Sequence, residues 1–157
     1  MKFERRKTRE VKVGNIIIGG NAPISVQTMT KTKTADVEAT VKQIERCKQA
    51  GADIVRVTIN DKHAAIAISE IVKQCSFIPI VADIHFNHII AIKSIEAGVA
   101  KVRINPGNIG SEDRIRQVLD AAKEYNVPIR IGVNSGSLEK DILEKYGYPS
   151  AEALYES

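Results

Sequence analysis

The chain has no tryptophan, four tyrosines and three phenylalanines in 157 residues, too few flat side chains to build a stacking platform for bases. Its formal charge is only +4, from 23 Lys and Arg against 19 Asp and Glu, and it is dispersed. A nucleic-acid binder concentrates a basic stripe on one face, so that class is set aside. No run approaches the ~18 to 20 consecutive apolar residues of a membrane helix, and the basic start from Met1 to Glu10 lacks the apolar core of a signal peptide. The expectation is a cytoplasmic protein with neither nucleic acid nor membrane as partner. Cysteine is also scarce. Cys47 and Cys75 form no Cys-x-x-Cys pair, so they offer neither a zinc site nor a disulfide framework, and they cannot hold an iron–sulfur cluster alone. Both are expected to pack as buried free thiols. Gly-x-Gly-x-x-Gly is missing as well.

What is present is a core's worth of apolar residues, 43% of the chain, enough for one domain. Three short apolar runs carry an arginine: Ile54-Val55-Arg56-Val57, Lys101-Val102-Arg103-Ile104 and Ile129-Arg130-Ile131. A guanidinium among β-branched residues sits on a strand that packing buries, and a buried charge costs several kcal/mol or more unless an anion meets it. Small polar residues follow at even offsets, Thr58 and Asn60, Asn105, and Asn134. Strand side chains alternate, so each shares a face with its arginine. Two further runs end in polar groups: Ile78-Pro79-Ile80-Val81-Ala82 in Asp83-Ile84-His85, and Pro23-Ile24-Ser25-Val26 in Gln27-Thr28-Met29-Thr30.

Helical periodicity fills the intervals. Val37, Val41, Ile44 and Cys47 make one face, capped by Thr34 or Asp36 and ended at Gly51. Ala65, Ile68, Ile71 and Val72 make a second, closing near Cys75. A third runs from about Asn87 to Glu96, and Ser111 caps a fourth with Ile115, Val118, Leu119 and Ala122 inward. Strands are expected near 24, 53, 78, 101 and 128, a βα repeat of about 22 to 30 residues. Nearly continuous apolar strands argue a parallel sheet covered by helices. Val11 to Ile18, with Gly14-Asn15 between two alternating runs, reads as a β-hairpin suited to plugging the base of a barrel. An open doubly wound sheet and a (β/α)8 barrel both accept this order. Polar groups at the ends of every strand favour the α/β barrel, of which five βα units are present over residues 1–157. Ser150 opens a helix that the chain leaves after about one turn, so a fragment of a longer protein is expected.

Arginine matches phosphate oxygens with paired donors, and several converging suit a diphosphate better than one carboxylate. Ion pairs to acidic residues on the helices would be the structural alternative, but the strand contexts show no regular acidic partner. The loops Asn105 to Ser111 and Asn134 to Ser137 could each turn backbone N–H groups toward an anion. Asp83, His85 and His88 could be read as metal ligands, though a better reading makes His85 a proton or hydrogen-bond donor oriented by Asp83.

Five segments, Ala22 to Thr30, Ala52 to Val57, Val81 to Phe86, Val102 to Gly110 and Arg130 to Leu138, together closely resemble the amino-terminal half of the 4-hydroxy-3-methylbut-2-enyl diphosphate synthase family. The resemblance spans almost the whole chain. It implies an amino-terminal barrel and a reductive ring opening and dehydration of 2-C-methyl-erythritol 2,4-cyclodiphosphate in non-mevalonate isoprenoid synthesis. It also implies a 4Fe-4S cluster on three cysteines and a glutamate of a carboxyl-terminal domain, none of them in this chain. Flavodoxin or ferredoxin would donate electrons, and the full-length protein would be a homodimer in which one subunit's cluster domain covers the other's barrel mouth. By matching motif, Arg56, Arg103 and Arg130 would grip the diphosphate while Asp83, His85, Asn105 and Asn134 line the pocket, the first two in a catalytic role. Lys31 and Lys33 stand where the family usually has Asn and Asp. The resemblance leaves the fragment alone inactive. The competing readings are another phosphate-handling barrel, such as an aldolase or a pterin-synthase-like transferase, and a non-catalytic phospholigand binder.

Overall fold

A computed structural model describes residues 6–157; the first half of the basic start, residues 1–5, lies outside them. The chain begins with a hairpin, β1 (Val11–Val13) and β2 (Ile16–Ile18), paired antiparallel with Val11 opposite Ile18. Gly14 turns it with φ +59°, a conformation that a Cβ would strain. Five parallel strands follow: β3 (Gln27–Met29), β4 (Ile54–Ile59), β5 (Ile80–Ile84), β6 (Lys101–Ile104) and β7 (Ile129–Ile131), hydrogen-bonded in chain order. Strand order never reverses, so the sheet has no switch point, and that separates a barrel wall from a doubly wound sheet.

Side-chain alternation says the same. Val55, Val57 and Ile59 of β4, Ile80, Ala82 and Ile84 of β5, and Val102 and Ile104 of β6 lie in one apolar core with the helices. Those helices are α1 (Val37–Gln49), α2 (Lys62–Gln74), α3 (His88–Glu96) and α5 (Glu112–Glu124), which contribute Ile44, Ile68, Ile71, Ile90, Ile95 and Val118 to it. The short α4 (Pro106–Ile109) precedes α5, and α6 (Lys140–Tyr146) and α7 (Ala151–Glu156) close the chain. The opposite face of the sheet carries Ile54 and Val81 low on β4 and β5, where they pack with the wholly buried Val13 of the hairpin. Ile16, Ile18 and Ala100 join them. The hairpin therefore seals the amino-terminal end of the strands, leaving the polar residues at their carboxyl ends.

Helix ends follow the sequence signals. The Asp36 side chain accepts from the N–H of Ala39 at 3.0 Å, with Glu38 in the first turn of α1 and Arg46 and Lys48 in the last. Asp36→Ala is expected to cost about 1 kcal/mol in a urea titration, while Asp36→Ser stays close to the parent. Asn87 and Ser150 cap α3 and α7 in the same way. Three expectations need correction. The first strand of the parallel sheet begins at Gln27, not near residue 24, and Ile24 and Val26 are exposed; Pro23 has no N–H to pair and ladder bonding with β4 starts only at Val26. Leu119 of α5 is also exposed, because Ile115, Val118, Ala121 and Ala122 are the residues of this helix that pack on the core. The third concerns Ser111, which takes the N-cap position of α5 without a side-chain bond.

Candidate anion site on the interior face

Even-numbered offsets bring the charged residues onto the face that the hairpin seals below. Thr58, Asp83, Arg103 and Arg130 occupy one continuous row across β4 to β7, with Met29, Arg56, Val81 and Lys101 in the row beneath. Asp83 is 2% exposed. Its Oδ1 accepts from Arg103 Nη1 at 3.0 Å, and its Oδ2 lies 3.5 Å from Arg56 Nε. The acidic partner that the strand contexts lacked is thus supplied by the neighbouring strand of the same sheet. The helices supply none to these two arginines among the described residues. Both carboxylate oxygens face guanidinium groups, and no hydrogen bond joins Asp83 to His85. The expected Asp83–His85 orienting pair is replaced by an Arg–Asp–Arg triad, because the flanking strands place a cation on either side of the carboxylate.

The triad is still cationic, and its members are incompletely satisfied. Arg56 Nε is buried without a hydrogen-bond partner, and Arg56 Nη2 rests on the thioether sulfur of Met29 at 3.1 Å, a weak acceptor. Arg103 and Arg130 are register partners across β6 and β7, a like-charge juxtaposition that is unfavourable without an anion between. Arg130 is more exposed than a buried strand implies, since β7 is one of the two outer strands of the described sheet and Ile131 beside it is exposed too.

Lys101, the first residue of β6, is 6% exposed, and its Nζ reaches Gln27 Oε1 at 3.5 Å. Burial, then the charges of Arg130 and Arg56, hold its amine below the ordinary lysine value. The signal was in the sequence: Lys101 precedes Arg103 by two residues, and an even offset shares the face. Four cations and one carboxylate therefore share this face of the sheet, two of the cations in contact with the carboxylate.

Four amides of the two loops expected to cradle an anion bond within the loops. Pro106 to Ile109 wind into a turn of helix in which the N–H groups of Asn108 and Ile109 donate to the Asn105 carbonyl. In the second loop Gly136 N–H donates to Asn134 Oδ1 and Ser137 N–H to the Asn134 carbonyl, and the helix starts only at Lys140. The buried Asn105 amide donates to Ser137 Oγ, which joins the loops. Gly107 permits that approach, since a Cβ there would collide with the Ser137 carbonyl. Asn134 is exposed at the rim. His85, half-buried, stands beside Phe86 with ring centroids 6.1 Å apart. Lys31 and Lys33 are exposed on a loop anchored by the Gln43 side chain, which accepts from the N–H groups of Lys31 and Thr32.

The residues present do not fit a metal centre or an iron–sulfur cluster. Among the described residues, no three His, Cys, Asp or Glu side chains are placed to share a metal ion. Cys75 is buried at the end of α2, and burial pushes its thiol up to about 11, far from the thiolate that a cluster needs. Cys47, half-buried on α1, is likewise free. No helix is long and apolar enough to cross a membrane among the described residues.

The family profile described as the GcpE TIM-barrel domain matches residues 8–157. This chain belongs to the GcpE family. Among curated GcpE relatives, the 4-hydroxy-3-methylbut-2-en-1-yl diphosphate synthase (flavodoxin) of Bacillus mycoides (strain KBAB4) is 58% identical over 154 residues, 98% of this chain and 42% of the relative. The enzyme of the same name from Bacillus cytotoxicus is 60% identical over 153 residues, 98% of this chain and 41% of the relative. The chain thus spans about two fifths of the length of these GcpE relatives. Among solved structures, the dihydropteroate synthase of Yersinia pestis superposes with TM-score 0.59 at 12% identity, covering 88% of this chain and 52% of that one. That of Xanthomonas albilineans gives 0.57 at 15%, covering 87% and 54%. At such identities the likeness shows the fold, and the five consecutive strands are a partial GcpE barrel.

Proposed function

We propose that residues 6–157 are the amino-terminal part of a barrel domain that binds the diphosphate of 2-C-methyl-erythritol 2,4-cyclodiphosphate. The parent protein would convert it by reductive ring opening and dehydration to 4-hydroxy-3-methylbut-2-enyl diphosphate. One observation carries the reading: two arginines opposed in register, a third with an unsatisfied buried donor, and a single carboxylate among them. A doubly charged phosphate ester relieves all three conditions together, whereas a monocarboxylate relieves one. The relatives' name specifies the product, 4-hydroxy-3-methylbut-2-en-1-yl diphosphate, and its flavodoxin qualifier supports flavodoxin as the electron donor; the cyclodiphosphate is the substrate that the family resemblance implies.

In this reading Arg103 and Arg130 take phosphate oxygens from adjacent strands. Arg56 exchanges its thioether contact for phosphate at little cost, because sulfur is the weaker acceptor. Asp83 fixes the directions of two guanidinium groups before the ligand arrives, the preorganisation on which electrostatic stabilisation depends. Asn105 holds the two rim loops together, and Asn134 lines the rim. His85, two residues beyond Asp83 toward the mouth, would hold the proton that leaves with the departing hydroxyl. The electrons belong to an iron–sulfur cluster and partner outside these residues, and so does the covering surface of a second subunit.

Calorimetric titration of the cyclodiphosphate tests the site. Arg103→Ala should lose about 1.5 to 3 kcal/mol, roughly 10- to 150-fold in Kd, the worth of a charge-assisted contact. Equal affinity for parent and variant would remove Arg103 from the site.

A further inference from the structure

We propose that Gly132 is a positioning residue for this site: its bare α-carbon makes the space in which the Arg103 guanidinium is held against Asp83. The inference rests on the anion-site reading given above. Gly132 follows β7 directly, two residues after Arg130. Strand alternation would aim any side chain there at the same interior face. A Cβ at this position would stand 2.6 Å from Arg103 Nη2, 2.8 Å from Nε and 2.9 Å from Cζ. Its three nearest atoms all belong to that one guanidinium, and all lie well inside ordinary van der Waals contact of about 3.5 Å.

The side that yields is the guanidinium, the far end of a flexible side chain, and it yields at the expense of its aim. The Gly132 N–H donates to the Ile104 carbonyl at 2.8 Å, which extends the β6–β7 ladder through this residue. On the other side Arg103 Nη1 is tied to Asp83 at 3.0 Å. An added methyl group therefore displaces the guanidinium and separates it from the carboxylate that aims it. The backbone itself does not demand glycine, because Gly132 lies outside the left-handed region that its φ would otherwise require. Glycine is needed here for what passes over it. A planar donor group whose direction matters for a tetrahedral phosphate loses affinity when tilted, even with its charge retained.

The test is a double-mutant cycle on the full 157-residue chain, with the cyclodiphosphate titrated calorimetrically into the parent, Gly132→Ala, Arg103→Ala and the double variant. Gly132→Ala should weaken binding about 10-fold or more. In the Arg103→Ala background the same methyl should change Kd by less than about 2-fold, because Gly132 acts only through the guanidinium. The urea midpoint of Gly132→Ala should fall by less than that of Asp83→Ala, because the carboxylate keeps its contact with Arg56. Parent-like binding by Gly132→Ala, additive losses in the cycle, or unfolding of Gly132→Ala where the parent stays folded would each overturn the proposal. Absence of binding by the parent, or equal binding by the parent and Arg103→Ala, would overturn the anion-site reading itself.

Discussion

Asp83→Ala should destabilise the chain by about 2 to 3 kcal/mol in urea titration at low ionic strength, more than deletion of a surface carboxylate would. Removing one member of a fully buried ion pair costs about 3 to 5 kcal/mol, because the partner charge stays behind unpaired. Here the partners are two, Arg56 and Arg103, but they are 26% and 21% exposed. Water then screens part of their repulsion, which lowers the expected figure. Asp83→Asn should behave similarly, since it preserves shape and loses charge. The diagnostic is rescue. An anion that binds the folded chain and not the unfolded one adds stability by mass action, so millimolar pyrophosphate should restore much of the loss in the Asp83 variants. A midpoint within about 0.5 kcal/mol of the parent, the range of an ordinary surface change, would mean that the triad does not hold these strands.

The same triad marks where the sequence stopped being legible. Within each strand the alternation of apolar and polar positions places Arg56 with Thr58, Asp83 with His85 and Arg103 with Asn105, and the resemblance implies one pocket for Arg56, Asp83 and Arg103. Their pairing depends on register between strands separated by helices of unequal length, and nothing local encodes it. Asp83 was therefore read as the partner of His85, its neighbour in sequence, when the stronger partners were its neighbours in space. Lys101 was missed for a related reason. A lysine at the first residue of a strand looks like a solvated end, and only the hairpin beneath it converts that position into a buried one. Helix faces and caps were easier, because periodicity and capping act within a few residues. The exposure of Ile24, Val26, Arg130 and Ile131 reflects the two outer strands, each paired on one side among the described residues. No feature of those segments taken alone distinguishes an outer strand from an inner one.

Lys101→Met should move stability in the opposite direction, upward by about 1 to 3 kcal/mol near neutral pH, while weakening the binding of polyanions. The ammonium is buried beneath two arginines, and its described partner is an amide oxygen rather than a carboxylate. A buried charge without a counter-ion is a net cost to the fold, and an apolar residue of similar length removes it. The pH dependence carries an independent sign. Because the folded-state amine lies below the ordinary value of 10.5, the unfolded chain binds that proton more strongly, and stability rises with pH wherever the unfolded state holds more protons. The penalty is fully present below the folded value and disappears as pH climbs from there toward 10.5. The parent should therefore gain on Lys101→Met as pH is raised through that window, with the two urea midpoints converging. A parent whose deficit stays constant across the window, or a Lys101→Met variant less stable than the parent at neutral pH, would show that the amine is compensated in the fold. If the expected pattern holds, the fold gives up stability to keep a fourth cation on the face of the arginines, and an anion bound there recovers it.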